Sequence, residues 1–113
     1  MPARDEGEMC GYLKRKTKTR TWKKMWCVLR ENVLYSYKAP EDTTAVESCP
    51  ILGYQINTLA EKSFEWYEGE AAALVFLLEH KGSAPLVFAT ENESLLDKWV
   101  KALTEAVKLN DAN

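Results

Sequence analysis

Seven cations and no acid fall within the eleven residues KRKTKTRTWKK at positions 14–24. Lysine and arginine at that density recognise anions. The candidate binding residues are Lys14, Lys16, Lys18, Arg20, Lys23 and Lys24, with Lys81 added from a later turn, HKGS. Positions 14–30 hold eight Lys or Arg and no Asp or Glu, so the other seven cations share the rest of the chain with all seventeen acids. A net charge of −2 therefore conceals a strongly polarised molecule. Charge of one sign gathered at one end steers an oppositely charged partner and repels the wrong ones. The chemistry this implies is capture of an anionic surface or ligand.

Bond-making chemistry finds little to work with. The single histidine, His80, sits in a turn, no Gly-x-Ser-x-Gly or phosphate loop occurs, and no pair of acids has a recognisable spacing. No catalytic residue is expected. Cys10, Cys27 and Cys49 are odd in number, form no Cys-x-x-Cys and have one histidine for company, so neither a disulfide framework nor a zinc site is expected. They read as reduced thiols of a cytosolic chain, and no metal or cofactor is expected.

The cations must be held by the elements around them. CGYLKRK at residues 10–16 alternates, and KMWCVLRE at 24–31 is dense in aromatic and β-branched types, so the two are predicted to pair as a hairpin around residues 17–22. Glu31-Asn32 marks a tight turn before VLYSYK at 33–38, which gives a three-stranded meander. Residues 39–47 are acidic, carry Pro40 and suit a loop. SCPILGYQIN at 48–57 reads as one strand or as two broken at Gly53. Residues 59–70 have no clear pattern; residues 71–79 suit a helix on their alanines, but LVFLLE facing LVFAT at 86–90 across HKGSAP is read as a second hairpin.

The last element is a helix. Thr90 and Glu93 have the spacing of a capping box, which starts the helix at Glu91 and carries it to about Leu109. Leu95, Trp99, Ala102, Leu103 and Ala106 make the apolar stripe, widened by Leu96, Val100 and Val107, with Asp97, Lys98, Lys101 and Glu105 opposite. Trp99 is read as a core residue.

One domain accounts for 113 residues that are 46% hydrophobic with four Trp, five Tyr and three Phe. The longest apolar run, at 71–78, is far shorter than the roughly 20 residues that span a bilayer. MPARDEGEM is acidic where a secretory signal would be basic and then apolar. Residues 1–8 are read as a disordered lead-in at a cut in a longer protein, and 109–113 as a disordered tail.

Six or seven strands followed by one amphipathic helix make an α+β plan, a bent β-sandwich or barrel closed by the helix. The residues GYLKRK, WKKMWCVL, NVLYSYK and LLDKWVKAL, taken together, resemble a pleckstrin homology (PH) domain over residues 9–108. Within that family CPILGYQI is similar to a segment in the carboxy-terminal PH domains of the FYVE, RhoGEF and PH domain-containing (faciogenital dysplasia) exchange factors. The resemblance implies seven strands in two nearly orthogonal sheets, with the helix at one corner. It places the first hairpin loop, the loop after the third strand and the last hairpin turn at the other corner, where lipid-binding members take inositol phosphates.

Carried over by residue, Lys14 matches the family's lysine at the end of strand one, and Lys23 the first cation of strand two. Met25 stands in place of the usual Arg and Ser36 in place of a Tyr. A thioether cannot fork donors onto phosphate as a guanidinium does. A charged hydrogen bond is worth about 1.5–3 kcal/mol, so head-group binding should fall by roughly ten- to a hundredfold. The remaining cations, each worth up to about 1 kcal/mol near an anionic leaflet, support weak, salt-sensitive contact with anionic membrane lipids. Trp22 lies either at the headgroup level or over the barrel edge.

Two other readings carry weight. Basic residues interleaved with Trp22, Trp26, Tyr35 and Tyr37 also suit a barrel that stacks single-stranded bases. Several of those aromatics alternate as core residues do, and a capped terminal helix is foreign to the simplest such barrel, so nucleic acid is not expected. The alternative function is a protein-interaction or autoregulatory module without significant lipid binding, using the sheet or the helix acids Glu91, Glu93, Asp97 and Glu105 against other domains of the parent or a protein partner. Either way the resemblance implies a non-catalytic part of a larger cytoplasmic exchange factor, peripherally associated with membrane or cytoskeleton, whose exchange activity would lie in a different domain.

Overall fold

The computed structural model describes residues 8–19, 21–59, 66–67 and 69–108. The expected lead-in and tail, apart from Glu8, lie outside this range, as does Arg20. Among the described residues nine strands and one α-helix follow in order: β1 (Met9–Lys16), β2 (Trp22–Arg30), β3 (Val33–Tyr37), β4 (Glu47–Pro50), β5 (Gln55–Thr58), β6 (Trp66–Tyr67), β7 (Glu70–Ala71), β8 (Val75–Glu79), β9 (Leu86–Ala89) and α1 (Glu93–Ala106).

Seven of the strands form one antiparallel sheet in the order β4-β3-β2-β1-β9-β8-β5. β1 pairs with β2 along its whole length, from Met9 opposite Leu29 to Lys16 opposite Trp22. With β9 it makes only two residue pairs, Lys14 with Ala89 and Arg15 with Phe88. That short seam joins the meander β2-β3-β4 to the group β9-β8-β5, so the architecture is the bent seven-stranded sheet with a terminal helix that the sequence predicts. In and just after the patternless residues 59–70, the two-residue strands β6 and β7 pair with each other, Trp66 opposite Ala71 and Tyr67 opposite Glu70.

Segment 48–57 resolves into two strands. β4 pairs with β3 at one edge of the sheet, β5 with β8 at the other. The link between them turns at Gly53, whose φ of 83° suits a residue without a Cβ. There the Gly53 N–H donates to Val107 O at 2.9 Å and the Ile51 N–H to Asn32 O at 2.9 Å. Asn32 Nδ2 donates to Ala106 O at 2.7 Å. The last carbonyls of α1, which have no partner inside the helix, thus find donors on two loops.

Alternation sends Leu13, Met25, Cys27, Leu29, Leu34, Phe76, Leu78 and Phe88 inward from the strands, where Leu96, Trp99 and Leu103 of α1 meet them. Trp99 is completely buried, as its place in the stripe implies. The helix line that reaches the core is Leu96, Trp99, Leu103 and Ala106; Leu95, Val100, Ala102 and Val107 flank it half-buried.

The helix boundaries differ from expectation. Its N-cap is Asn92, whose Oδ1 accepts from Leu95 N at 2.8 Å, and the first helical residue is Glu93. Thr90 is 1% exposed at the end of β9. Its N–H donates to Leu74 O at 2.9 Å and its hydroxyl to Asn92 O at 2.9 Å, so the side chain is spent on the strand-to-helix corner. Asn, two residues later and exposed, is an equally good cap. The helix closes at Ala106, short of Leu109. The expected strand over 71–79 likewise starts late, because 72–74 form a 3-10 turn before β8.

Candidate functional site

Strand period and register sort the cations onto two faces of one hairpin. Directly paired residues project to the same side. Lys14 opposite Lys24 and Lys16 opposite Trp22 therefore share the outer face, whereas Arg15 opposite Lys23 shares the core face with Leu13 and Met25. Lys14 and Lys23, coupled by the resemblance, lie on opposite sides. Arg15, absent from the candidates, is the residue that accompanies Lys23. Counting in twos from the buried Leu13 would have found it.

Carboxylates on two other strands and in the loop before α1 hold cations of the hairpin. Lys14 Nζ donates to both oxygens of Glu70 on β7, at 2.9 and 3.1 Å. Glu70 is only 15% exposed, so this pair is partly shielded from water. Arg15 Nη1 is paired with Glu47 on β4. Lys24 Nζ stands 4.0 Å from Glu91 Oε2 just ahead of α1 and 4.5 Å from the centroid of the Tyr12 ring. Tyr12 in turn meets Trp26 edge to face at 5.0 Å. Lys18 and Lys23 are exposed, and Lys16 is half-buried at the end of β1.

Met25 is 5% exposed within the core and Ser36 4%. A guanidinium at position 25 would enter a layer formed by Leu13, Cys27 and Phe88, where an unpaired charge is costly. Cys27 is also buried, which pushes its thiol up from 9.0 to about 11 despite the nearby Ser36 hydroxyl and Arg15 charge. Such a thiol does not offer a thiolate at neutral pH. Trp22 packs on the outer cluster of Val75, Val87 and Ala89, so of its two readings the structure takes the cover over the barrel edge.

Lys81 is exposed in the β8-β9 turn. It lines a separate concavity of about 460 Å³ with Gly53, Glu79, His80 and Ser83, to which no hairpin residue contributes. A larger groove of about 830 Å³ opens at the far end of the hairpin, lined by Glu8 and Glu31 beside the strands and by Lys98, Lys101 and Ala102 of α1. Chemically, the hairpin offers exposed ammonium groups and a few already neutralised ones to an anion.

Residues 7–108 match the family model of the PH domain. A curated relative, FYVE, RhoGEF and PH domain-containing protein 6 of Mus musculus, is 34% identical over 106 residues, which are 93% of this chain but 7% of that protein. The solution structure of the pleckstrin homology domain of mouse ethanol decreased 4 protein aligns with a TM-score of 0.70 at 31% identity, over 95% of this chain and 93% of that one. The crystal structure of the carboxy-terminal PH domain of pleckstrin in complex with an inositol pentakisphosphate aligns with a TM-score of 0.71 at 16% identity, over 88% and 94%. At that identity the last likeness is one of fold.

Proposed function

Because the chain belongs to the PH domain family, we propose that it is a non-catalytic docking module of a larger Rho-family exchange factor, binding anionic membrane and phosphoinositide headgroups weakly through the β1-β2 hairpin. The single observation that carries this reading is the acid-free run of seven cations at positions 14–24, six of them among the described residues of the β1-β2 hairpin, with Lys18 and Lys23 exposed. The pairing of Lys14, Arg15 and Lys24 with Glu70, Glu47 and Glu91 favours weak binding, as does the place of Met25 in the core. Lys16 adds charge to the same hairpin and Arg20 to the same run of sequence, and Lys81 contributes at most from a distance. The inositol phosphate carried by the PH domain of pleckstrin accords with the same ligand class. Such a module would act in the cytoplasm at a membrane or the cytoskeleton.

Sedimentation with vesicles of neutral lipid, of phosphatidylserine and of each phosphoinositide at equal total charge tests it. Binding should track charge, with little selectivity. Lys18→Glu with Lys23→Glu should abolish it, and because both side chains are exposed the fold should survive. Unchanged binding of that variant would sink the proposal.

A second reading, docking of a protein, is favoured by the groove between α1 and the β2-β3 turn. Its walls carry both signs of charge at the end of the molecule away from the cations. Vesicle binding that fails at every composition would leave this as the working function.

A further inference from the structure

Thr17, Thr19 and Thr21 occupy alternate positions of the hairpin tip, between the end of β1 and the start of β2. Their hydroxyls converge. Thr17 Oγ1 lies 2.9 Å from Thr19 Oγ1 and 2.8 Å from Thr21 Oγ1, and the latter two are 3.2 Å apart. Thr19 and Thr21 are exposed, and Thr17 is half-buried. Across the tip the Thr17 N–H donates to Thr21 O at 2.8 Å. Each threonine has a lysine three residues before it, Lys14, Lys16 and Lys18 respectively.

We propose that this tip is a phosphorylation site for a basophilic protein kinase, one whose peptide groove carries carboxylates for cations that precede the acceptor hydroxyl. In the transfer, the threonine Oγ1 attacks the γ-phosphorus of ATP and the bond to the ADP oxygen breaks. The hydroxyl proton passes to the kinase's catalytic aspartate. The acceptor hydroxyls lie between the ends of β1 and β2, so entering such a groove leaves the ladder of the two strands in place, whereas a strand or helix position would have to break its own main-chain bonds.

The product suits its surroundings. A phosphate on Thr19 lies beside the hydroxyls of Thr17 and Thr21, which can donate to its oxygens, and next in sequence to the exposed Lys18. The regulatory consequence rests on the membrane reading above. One phosphate brings roughly −1.5 to −2 charges at neutral pH, offsetting about two of the cations. At up to about 1 kcal/mol per cation near an anionic surface, membrane affinity should drop about tenfold, and at most about thirtyfold.

Local sequence alone does not single out the tip. Thr104 also has a lysine, Lys101, three residues before it, and it too is exposed. It belongs to α1, where the main chain is tied into the helix. The fold therefore makes Thr104 an internal control.

The test incubates the 113-residue chain with ATP and either cyclic-AMP-dependent protein kinase or the acidophilic casein kinase 2, and maps phosphate by mass spectrometry. Sedimentation with phosphatidylserine vesicles follows. Phosphate at Thr17, Thr19 or Thr21 with the basophilic enzyme alone, and about tenfold weaker vesicle binding, are expected. The triple variant T17A/T19A/T21A should keep its circular dichroism and its vesicle binding while losing the phosphate. Incorporation confined to Thr104, or none at all, overturns the site. Tip phosphate that leaves vesicle binding unchanged overturns its regulatory role. If the unmodified chain binds no vesicle, the membrane reading falls together with that role, and the phosphate map decides the site independently.

Discussion

Glu70 sits 56 residues from Lys14 along the chain, yet it accounts for part of the gap between the charge written in the hairpin and the charge an anion would meet. Glu70→Gln frees Lys14 while keeping a hydrogen-bonding group in place. It should strengthen binding to phosphatidylserine vesicles about three- to fivefold, since one released cation is worth up to about 1 kcal/mol near the surface. An unchanged affinity would mean that Lys14 takes no part. Cys27 makes a prediction of a different kind. Its folded pKa of about 11 lies above the unfolded value of 9.0, so the folded state keeps the proton that the unfolded chain releases. The thiol's contribution is constant below pH 9 and falls as pH rises from 9 to 11, by at most roughly 3 kcal/mol. Urea titrations at pH 8 and pH 10.5 should show a smaller drop for Cys27→Ala than for the parent chain. The lysines were legible as a group because density alone betrays them. Their individual roles were not, since the sheet register and three distant acids decide which cation is spent and which is offered.

At the scale of elements, alternation made the meander and the last hairpin readable, and the 3.6-residue stripe made α1 readable. Its start was missed because Thr90 and Asn92 are both good caps by chemistry, and only burial at the β9 corner separates them. Asn92→Ala should cost about 1 kcal/mol of folding stability, measured by chemical denaturation. Glu93→Gln should cost a few tenths at most, because Glu93 is the first helical residue and completes no capping box. If the two variants prove equal, the cap assignment is wrong. Segment 48–57 was ambiguous for a similar reason. Nothing near Gly53 in sequence says that β4 and β5 belong to opposite edges, since the Val107 carbonyl that receives the Gly53 N–H is supplied by the helix end.

For the whole molecule, the separation of a cationic hairpin from an acidic remainder implies binding governed by ionic strength. Raising salt from 0.1 to 1 M shortens the screening length from about 10 to 3 Å. Vesicle binding should disappear over that range, and its persistence would point to apolar insertion or a dedicated headgroup pocket. The same polarity has an anatomical counterpart. Glu8, at the start of the described chain, and Glu105 and Ala106, at the end of α1, line one groove together with the β2-β3 turn. That turn is separated from the cationic tip by the nine residues of β2, roughly 30 Å at about 3.3 Å per residue. Both ends of the described chain thus lie at the pole opposite the tip. Within the larger protein proposed above, the domain would hang like a plumb bob, its two tethers leaving without crossing the cationic surface.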